Sequence, residues 1–505
     1  MKTGVKEKVL QIIEEINVED DFILDDIEKK QISYRAFWCQ CLNAASLLSK
    51  KFRQKTIIAL LENRYELLNL YFSVMLTDKK IIVIDPSKGK DEIDLILSEV
   101  QDSILIKEEY LDIFVDKDKF QKIAISELKN EQFHYLDEQG LEEIEMLIRE
   151  RDFQAEYLVT YTSGTSGKSK GVVHSLENLF GTAFAMQEKV KAPVGIFMHV
   201  MPMTYMAGIL NSIIFPFIIH NKIVIMRRFS VKIAAEFWNK VSEYKAGLFW
   251  LSPAMIMMIQ KMDRTHLGED YCKNNKVLFL IGTSHLTEGT REQFEKRYSV
   301  KLQASYGLSE TLFISVETEK SIKQGKGNSV GELLDGVSYK ILPDGELLLD
   351  VPWMYSGYIN ERDLDYFSGQ YYKTGDLAKC QDGILFITGR KKELIIKGGM
   401  NISPVQIENC VSQCADITEC AVFGLQDDTG EEIVCCAYAA KIDSDLEKEQ
   451  IEEALTKKVM KELGKSFRID KFIYIDRIPK NVNGKVDKKK LKSTFEEMFL
   501  QQEDL

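Results

Sequence analysis

The stretch TYTSGTSGKSKGVVHS, Thr160–Ser175, decides how this chain folds. It begins inside an apolar run, EYLVTYT, that has the composition of a buried strand. It ends before SLENLFGTAFAMQEKV, whose apolar spacing predicts a helix with Ser175 as its N-cap. Between strand and helix lies a loop of glycines, hydroxyls and lysines. Backbone amides next to glycine, with hydroxyl and ammonium donors, predict that this loop binds a polyphosphate.

The loop resembles, but does not match, the Walker pattern G-x-x-x-x-G-K-[ST]. Thr162 replaces the first glycine of that pattern. A Walker loop uses this glycine for the turn that points its backbone amides inward, and Thr162 would have to do so while ending a strand. The chain also has no convincing second strand that ends in a magnesium-binding aspartate. We therefore interpret the stretch as a phosphate loop of another kind.

Outward from this loop, strand-like runs alternate with helical stretches. TIIALL, KIIVIDPS and DSILI precede it, and GIFMHVMPM, KIVIM, AGLFWLSP and KVLFLIG follow it. This order predicts an α/β fold with two doubly wound β/α subdomains. From about Gly331, short strands with turn residues predict a small antiparallel sheet or β-barrel, and the pattern after Arg390 predicts a small α+β domain. We expect a large N-terminal domain, residues 1–390, and a small C-terminal domain, residues 391–505.

Composition narrows the range of partners. The 505 residues are 45% hydrophobic and 29% charged, which is typical of a soluble globular protein, and the net charge of -12 argues against nucleic acid or an anionic membrane. Nine cysteines and a charged N-terminus without a signal-peptide pattern predict reduced thiols and a cytoplasmic location. The most apolar segment, residues 207–226, is interrupted by polar residues and proline, so we expect no membrane span. Small molecules are the expected partners.

Further motifs resemble one known family. The loop Thr162–Gly171 is similar to the [ST]-S-G-[ST]-[ST]-G-x-P-K-G loop of the ANL superfamily of adenylate-forming enzymes, which includes acyl-CoA synthetases, nonribosomal adenylation domains and luciferases. SYGLSE, YKTGDL, GRKKELIIKGGMNISPVQIE and PKNVNGKVDKKKL resemble its later motifs, in the family's order. Ser166 and Ser169 depart from the usual Thr and Pro. Loss of the proline raises the entropy of the loop, so we expect a looser grip on pyrophosphate.

The resemblance implies ATP and Mg²⁺ as ligands. The residues that it assigns to the phosphates are Thr162, Ser163, Gly164, Thr165, Ser166, Gly167 and Lys170. It assigns Glu310 to Mg²⁺ and the Ser309 hydroxyl to the α-phosphate. Tyr306 and Gly307 would flank the adenine, with Thr283 and Ser284 as its wall. We interpret His285, next to that wall, as part of a strand-to-helix turn rather than as a catalytic residue.

The resemblance also assigns the sugar, the hinge and the catalytic lysine. Asp376 would accept hydrogen bonds from both ribose hydroxyls, with Arg390 beside it, and Lys392 would be the hinge of a mobile C-terminal domain. Gly398 and Gly399 would line a tunnel for pantetheine, where only glycine allows close approach. Lys485 would bridge the attacking carboxylate and the α-phosphate.

The expected acid-binding pocket contains Tyr205, Gly208, Thr311 and Leu312. Amino-acid-adenylating relatives have an aspartate where Tyr205 lies, and residues 198–221 contain no acidic side chain. An α-amino acid would bury an unpaired charge there, which is costly. A carboxylic acid without an amino group is therefore expected, and aryl and medium-length aliphatic acids remain equally compatible.

The predicted reaction is ATP-dependent adenylation of this acid, with release of pyrophosphate, and then thioester formation with CoA. An alternative is a stand-alone enzyme that loads the phosphopantetheine arm of a separate carrier protein. A nucleotide-binding protein without turnover is disfavoured by the presence of Glu310, Asp376, Arg390 and Lys485. A serine hydrolase is disfavoured because the chain has no G-x-S-x-G motif.

Overall fold

The computed structural model describes residues 4–100, 102–111, 120–128, 138–163, 169–324, 328–359, 366–427, 430–440, 445–480 and 485–503. Over these residues the chain is mixed α/β, with a large N-terminal part and a small C-terminal part, as the sequence predicts.

The opening stretch lies in the first sheet of the large part. In spatial order its strands are β18 (Gly357–Tyr358), β8 (Ser169–Ser175), β7 (Glu156–Ser163), β4 (Lys80–Val83), β3 (Thr56–Leu60), β5 (Ser103–Lys107) and β6 (Phe120–Lys122). Strands β7 to β6 of this order run parallel, and β8 pairs antiparallel with β7. The phosphate loop therefore connects two hydrogen-bonded neighbours, and β7 and β8 form a hairpin.

The second sheet continues without a break from parallel to antiparallel strands. Its parallel half runs, in spatial order, through β13 (Leu302–Leu308), β12 (Leu278–Ile281), β11 (Leu248–Leu251), β9 (Ile196–His199), β10 (Lys222–Ile225) and β1 (Asp21–Asp25), with β2 (Lys30–Ser33) antiparallel at the edge. Its antiparallel half runs through β14 (Leu312–Val316), β15 (Ser329–Leu333), β21 (Ile384–Arg390), β20 (Tyr371–Gln381), β17 (Glu346–Asp350) and β16 (Ser338–Ile341), and β19 (Phe367–Ser368) also pairs with β20.

The antiparallel strands after Gly331 do not close into the small barrel that the sequence also allowed. Strand β13 pairs parallel with β12 and antiparallel with β14, so the late strands extend the large sheet through a shared edge. Over the described residues, the sheet stays open.

The small part begins after β21 with a short hairpin. Its strands are β22 (Ile395–Lys397) and β23 (Met400–Ile402), followed by a three-stranded sheet of β24 (Ile417–Gln426), β25 (Glu432–Ala440) and β26 (Lys471–Tyr474). Its helices are α15 (Pro404–Ser412), α16 (Asp445–Leu463) and α17 (Lys488–Glu503), with 3₁₀ turns at Lys391–Glu393 and Lys465–Phe467.

Helices cover the sheets of the large part. They are α1 (Val5–Glu14), α2 (Tyr34–Lys51), α3 (Tyr65–Met75), α4 (Lys90–Glu99), α5 (Ile125–Leu128), α6 (Glu138–Glu150), α7 (Leu176–Val190), α8 (Met206–Ile209), α9 (Phe215–Ile218), α10 (Val231–Tyr244), α11 (Pro253–Met262), α12 (Leu267–Asn274), α13 (Glu288–Tyr298) and α14 (Glu319–Gln324). A π-helix, Leu210–Ile214, connects α8 to α9. Residues 207–226 thus form helix, turn and buried strand.

Ser175 caps α7 as the sequence predicts. Its hydroxyl accepts from the Asn178 N–H at 3.1 Å, and the Asn178 side chain accepts from the Ser175 N–H at 3.0 Å. This reciprocal pair satisfies two backbone donors at the helix start, where a capping group contributes about 1 kcal/mol. The helix therefore starts directly after β8 and holds that strand in place.

Candidate active site

A cleft of about 500 Å³ lies where the two sheets and the small part meet. Thr162 and Lys170 reach it from the β7–β8 hairpin, Tyr306 and Glu310 from the end of β13, and Arg390 from the end of β21. Lys485 of the small part lines the same cleft. The structure therefore brings together residues that are up to 323 positions apart, and Lys170, Arg390 and Lys485 are among the cationic side chains that line the cleft.

Asp376 is the centre of a hydrogen-bonded group on three strands. Its carboxylate accepts from the Tyr306 hydroxyl at 2.8 Å and from Arg390 Nε at 2.6 Å, and Asp376 lies directly opposite Arg390 in the β20–β21 register. Asp376 itself is buried. Although burial opposes it, Asp376 raises the pKa of Arg390, so the guanidinium stays charged. Burial, and then the Asp376 charge, raise the pKa of Tyr306 well above its ordinary value.

Glu310 lies in the turn Ser309–Thr311 between β13 and β14. Leu312 directly follows this turn and has a φ of +52°. A left-handed residue of this kind is typical of the end of a short hairpin turn. The Glu310 carboxylate accepts from the Tyr358 hydroxyl at 2.7 Å, and Tyr358 lies 3.2 Å from the Tyr372 hydroxyl. Burial, and then Glu310, raise the pKa of Tyr358, so this phenol remains a donor.

Two carboxylates, Glu310 and Glu346, line the cleft, and so few protein ligands fit Mg²⁺ better than a metal that needs a full cage of protein ligands. Within the described residues, no group of three or more His, Cys, Asp or Glu could hold a metal ion. Mg²⁺ is usually bound by one or two carboxylates together with substrate phosphates and water. Glu310 would supply a carboxylate of that set, whereas the cationic side chains of the cleft would contact the phosphates rather than the metal.

The phosphate loop is described only at its two ends. Thr162 and Ser163 end β7, Lys170 lies on β8, and Gly164, Thr165, Ser166 and Gly167 lie outside the described residues. The Lys170 ammonium lies 4.5 Å from the centre of the Tyr366 ring and 5.0 Å from that of Tyr358, and it also hydrogen-bonds the Tyr366 hydroxyl. These contacts hold the ammonium at the cleft.

Ser169, where the resemblance expects proline, is anchored by side chains. Its hydroxyl donates to Glu92 on α4, and Lys88 Nζ lies 3.3 Å from the same hydroxyl oxygen and 2.5 Å from Glu92. These hydrogen bonds restrain the end of the loop through side chains, whereas a proline ring would restrain it by fixing the backbone φ angle. The entropy that the missing proline adds is thus partly offset by an anchor that the loop sequence alone does not reveal.

Comparisons with known proteins identify the family to which the chain belongs. The family model described as "AMP-binding enzyme" matches residues 17–359, and that described as "AMP-binding enzyme C-terminal domain" matches residues 406–485. The chain belongs to the AMP-binding enzyme family. This family is the ANL superfamily that the sequence motifs resemble.

Two curated relatives of this AMP-binding enzyme are CoA ligases by name. The 4-coumarate–CoA ligase-like 8 protein of Arabidopsis thaliana is 29% identical over 353 residues, which cover 66% of this chain and 62% of the relative. The 2-succinylbenzoate–CoA ligase of Listeria monocytogenes is 28% identical over 346 residues, which cover 66% of this chain and 69% of the relative. The matched residues thus cover less than two thirds of the length of the plant relative.

The fold is shared over nearly the whole chain. The crystal structure of ATP-bound MatB from Rhodopseudomonas palustris aligns with a TM-score of 0.81 at 18% identity, and the alignment covers 98% of this chain and 100% of that one. Within the part of this AMP-binding enzyme that the structure describes, no helix is both long and apolar enough to cross a membrane.

One wall of the cleft is formed by Tyr205, Met206, Ala207, Leu210, Asn211, Leu312 and Phe313. Gly208 and Thr311, which we expected in this wall, lie behind it. A Cβ on Gly208 would lie 1.8 Å from the Pro202 carbonyl oxygen, so this glycine allows close packing of α8 rather than contact with a ligand. Thr311 is fully buried, and its hydroxyl accepts from the Leu308 N–H at 3.3 Å.

Thr283 and Ser284 follow β12 and face two different cavities. Thr283 lines both the cleft and a neighbouring cavity of about 450 Å³, whereas Ser284 lines only the second. Thr283 has a φ of +73°, which is uncommon for a β-branched residue and often marks a functional site. His285 lines the second cavity but not the cleft, and its Nε2 lies 3.1 Å from Asn409 Oδ1 of the small part.

Lys485 enters the cleft from a short, anchored segment. Lys480 and Val486 form an isolated antiparallel bridge, and Lys480 pairs with Glu419 on β24 at 3.1 Å. At the junction of the two parts, Lys392 lines the cleft, and burial, followed by the charge of Arg390, lowers its pKa. Lys392 therefore lies between the site and the chain that carries Lys485.

Gly398 and Gly399 lie away from the cleft, in a cavity of about 800 Å³ that Lys391 and Lys392 also line. The two glycines form the turn between β22 and β23, with φ values of +56° and +77°. A Cβ on either would meet nothing within 4 Å. The turn conformation, rather than close packing, explains glycine at both positions in this structure.

Sequence reasoning missed the contact that positions the small part. Asn409 on α15 hydrogen-bonds both His285 and Asn328, which belong to the large part. Gly289 on α13 packs against the backbone of Ser412 at the end of α15. The available signal in the sequence was Gly289, which lies in the first turn of a helix. Glycine weakens a helix, so its presence there suggests that close packing requires it.

Proposed function

We propose that this AMP-binding enzyme activates a carboxylic acid without an amino group by adenylation and then transfers the acyl group to CoA. The observation that carries the proposal is that Lys485 shares one cleft with Lys170, Glu310 and Arg390. Anionic phosphates need such a cationic site, and a reaction between two anions needs a lysine that meets both.

In the first step, a carboxylate oxygen of the acid would attack the α-phosphorus of ATP, and the bond to the bridging oxygen would break to release pyrophosphate. The Lys485 ammonium would contact the carboxylate and an α-phosphate oxygen, which lowers their repulsion and aligns them for in-line attack. Ser309 would donate to the α-phosphate. Glu310 would hold Mg²⁺, whose charge offsets that of the β- and γ-phosphates.

The nucleoside would be held by the group around Asp376. Its carboxylate already accepts from Tyr306 and Arg390, and carboxylate oxygens have further lone pairs for the ribose hydroxyls. Tyr306, Gly307, Thr283 and Ser284 would flank the adenine. Thr162, Ser163, Lys170 and the loop residues 164–167 would bind the β- and γ-phosphates.

In the second step, the thiol would lose its proton to solvent, its sulfur would attack the acyl carbon, and AMP would leave with the electrons of the broken acyl–phosphate bond. The acceptor is CoA in the name of both relatives, which supports CoA here. A carrier protein offers the same phosphopantetheine thiol and is the alternative. Gly398 and Gly399 would line the path of that arm after Lys392 acts as a hinge.

The test measures acid-dependent pyrophosphate release from MgATP with aryl, short-chain and medium-chain acids and with amino acids. Lys485→Ala is compared with Lys489→Ala, a matched loss of an exposed lysine on α17. We expect a loss of about 10²- to 10³-fold in Lys485→Ala, as for other removed electrostatic contacts, and wild-type release in Lys489→Ala.

Three results would count against the proposal. Absence of release with every acid would reject adenylation. Best activity with amino acids would reject the acid class. Thioester formation on a purified holo-carrier protein but not on CoA would replace the proposed acceptor with the alternative.

A further inference from the structure

The π-helix Leu210–Ile214 distorts the wall of the cleft beside the expected acid. Its widened ladder is seen in the Phe215 N–H, which donates to the Leu210 carbonyl five residues earlier. Pro216 follows, and its ring would clash with the carbonyl four residues before it in a regular α-helix. Single π-turns inside helices are frequent at functional sites. The residues of this turn that line the cleft are therefore candidates for a functional role.

Asn211 is the polar side chain that this turn places at the cleft. It is only 6% exposed, and it lines the cleft beside Leu210. Its carboxamide makes no hydrogen bond with the described residues. A buried amide without a partner costs about 1–3 kcal/mol, and buried polar groups are rarely left so. Because Asn211 lines the open cleft, its amide can bond water there, and a ligand that displaces this water without offering a hydrogen bond would leave the amide unsatisfied.

The rest of this wall is uncharged. Ala207, Leu210, Leu312 and Phe313 are apolar, and Tyr205 adds a phenol. Phe313 stacks on the fully buried Trp250 with ring centres 4.9 Å apart and an angle of 8°, which makes a rigid aromatic backing. A second carboxylate on the acid would find no cation on this wall. A neutral group that both donates and accepts would satisfy the Asn211 amide.

We propose that the acid carries a neutral hydrogen-bonding group, such as a hydroxyl or carboxamide, on an otherwise apolar skeleton, and that Asn211 recognises it. This inference rests on the proposed function, because it describes the acid that the same cleft activates. Asn211 is thus a specificity-determining residue and takes no part in phosphoryl transfer.

The experiment compares paired acids in the pyrophosphate-release assay. The pairs are 3- and 4-hydroxybenzoate against benzoate, and 4-hydroxybutanoate against butanoate, with succinate as a dicarboxylate. In the wild type we expect kcat/KM for the better hydroxy acid to exceed that of its plain partner by about tenfold or more. Asn211→Leu is expected to bring the ratio to about one or below, and the exposed Asn274→Leu on α12 to leave it unchanged. If Asn211→Leu does not fold, Asn211→Ala is tested for the same ratio.

A ratio of kcat/KM values is not moved by a variant that is merely less stable, since both acids see the same enzyme. Equal activity with plain and hydroxylated acids in the wild type would overturn the inference and leave adenylation intact. A preference that survives in both Asn211 variants, or best activity with succinate, would also overturn it. Absence of release with every acid would instead reject the proposed function, and the inference with it.

Discussion

Gly289→Ala tests whether the contact between α13 and α15 positions Lys485. A Cβ on Gly289 would lie 1.9 Å from the Ser412 carbonyl oxygen and 2.6 Å from its carbonyl carbon, whereas ordinary contact begins at 3.4 Å. Both atoms are backbone, so no side chain can move aside. The two helices would have to separate by about 1.5 Å, the difference between 3.4 and 1.9 Å. The small part that carries Lys485 would shift with α15.

A misplacement of about 1 Å at a reacting centre can lower a rate by about 10²-fold. We therefore expect Gly289→Ala to lower kcat for pyrophosphate release by about that factor, with a smaller change in the KM for ATP, whose other contacts come from the large part. The assay is initial-rate pyrophosphate release at saturating acid, with thermal unfolding measured on the same sample.

Gly181→Ala on α7 is the matched control, because its Cβ would lie 3.5 Å from Val5 Cγ2, an ordinary contact. It should retain wild-type kcat and gain slightly in stability, since alanine favours a helix. A Gly289→Ala enzyme that folds and works within about threefold of the wild type would refute the reasoning. It would mean that Lys485 reaches the cleft without this contact.

Two further predictions concern the nucleoside and the pH dependence of stability. Asp376→Asn should raise the KM for ATP about tenfold or more, because it weakens the bond to Arg390 and the acceptor for ribose; an unchanged KM in an ATP titration would remove Asp376 from the binding site. Burial lowers the pKa of His174 and of His199 to about 4. In the unfolded chain it is about 6.5, so below pH 6.5 the unfolded state binds protons that the native state does not. The free energy of unfolding should therefore decrease as the pH is lowered, by about 2 kcal/mol per histidine at pH 5. Urea unfolding at pH 7.5 and at pH 5 would measure this decrease. His174→Gln should remove about half of this fall, and an identical fall in that variant would contradict the assignment.

The sequence predicts local elements of the fold well. The apolar runs that became β7, β10, β11 and β12 are continuous and bounded by turn residues, and Ser175 has the residue type of an N-cap. The open sheet could not be foreseen, because closure depends on whether β13 pairs on both edges. That pairing joins segments far apart in sequence and leaves no local pattern.

The candidate site was predictable where a motif carries the residue. Lys485, Arg390 and Glu310 were named from such motifs, and the structure brings them to one cleft. Gly208 and Thr311 were assigned to the pocket because they are close in sequence to Tyr205 and Glu310, and closeness in sequence does not show which side chain faces the cleft. The role of Asn211 was missed, because it depends on a π-turn that shifts which side chain faces the cleft.

His174 has a consequence for exchanging parts between relatives. It lies on β8, within the opening stretch, and its Nε2 donates to the Ser309 carbonyl at 2.6 Å while the ring is fully buried. This buried hydrogen bond connects the β7–β8 hairpin to the turn that contains Glu310. A β7–β8 hairpin transplanted from another enzyme would bring its own residue to this position. The exchange should preserve activity only when the incoming residue makes the same hydrogen bond to the Ser309 carbonyl. The hairpin and the Ser309–Glu310 turn should therefore be exchanged together.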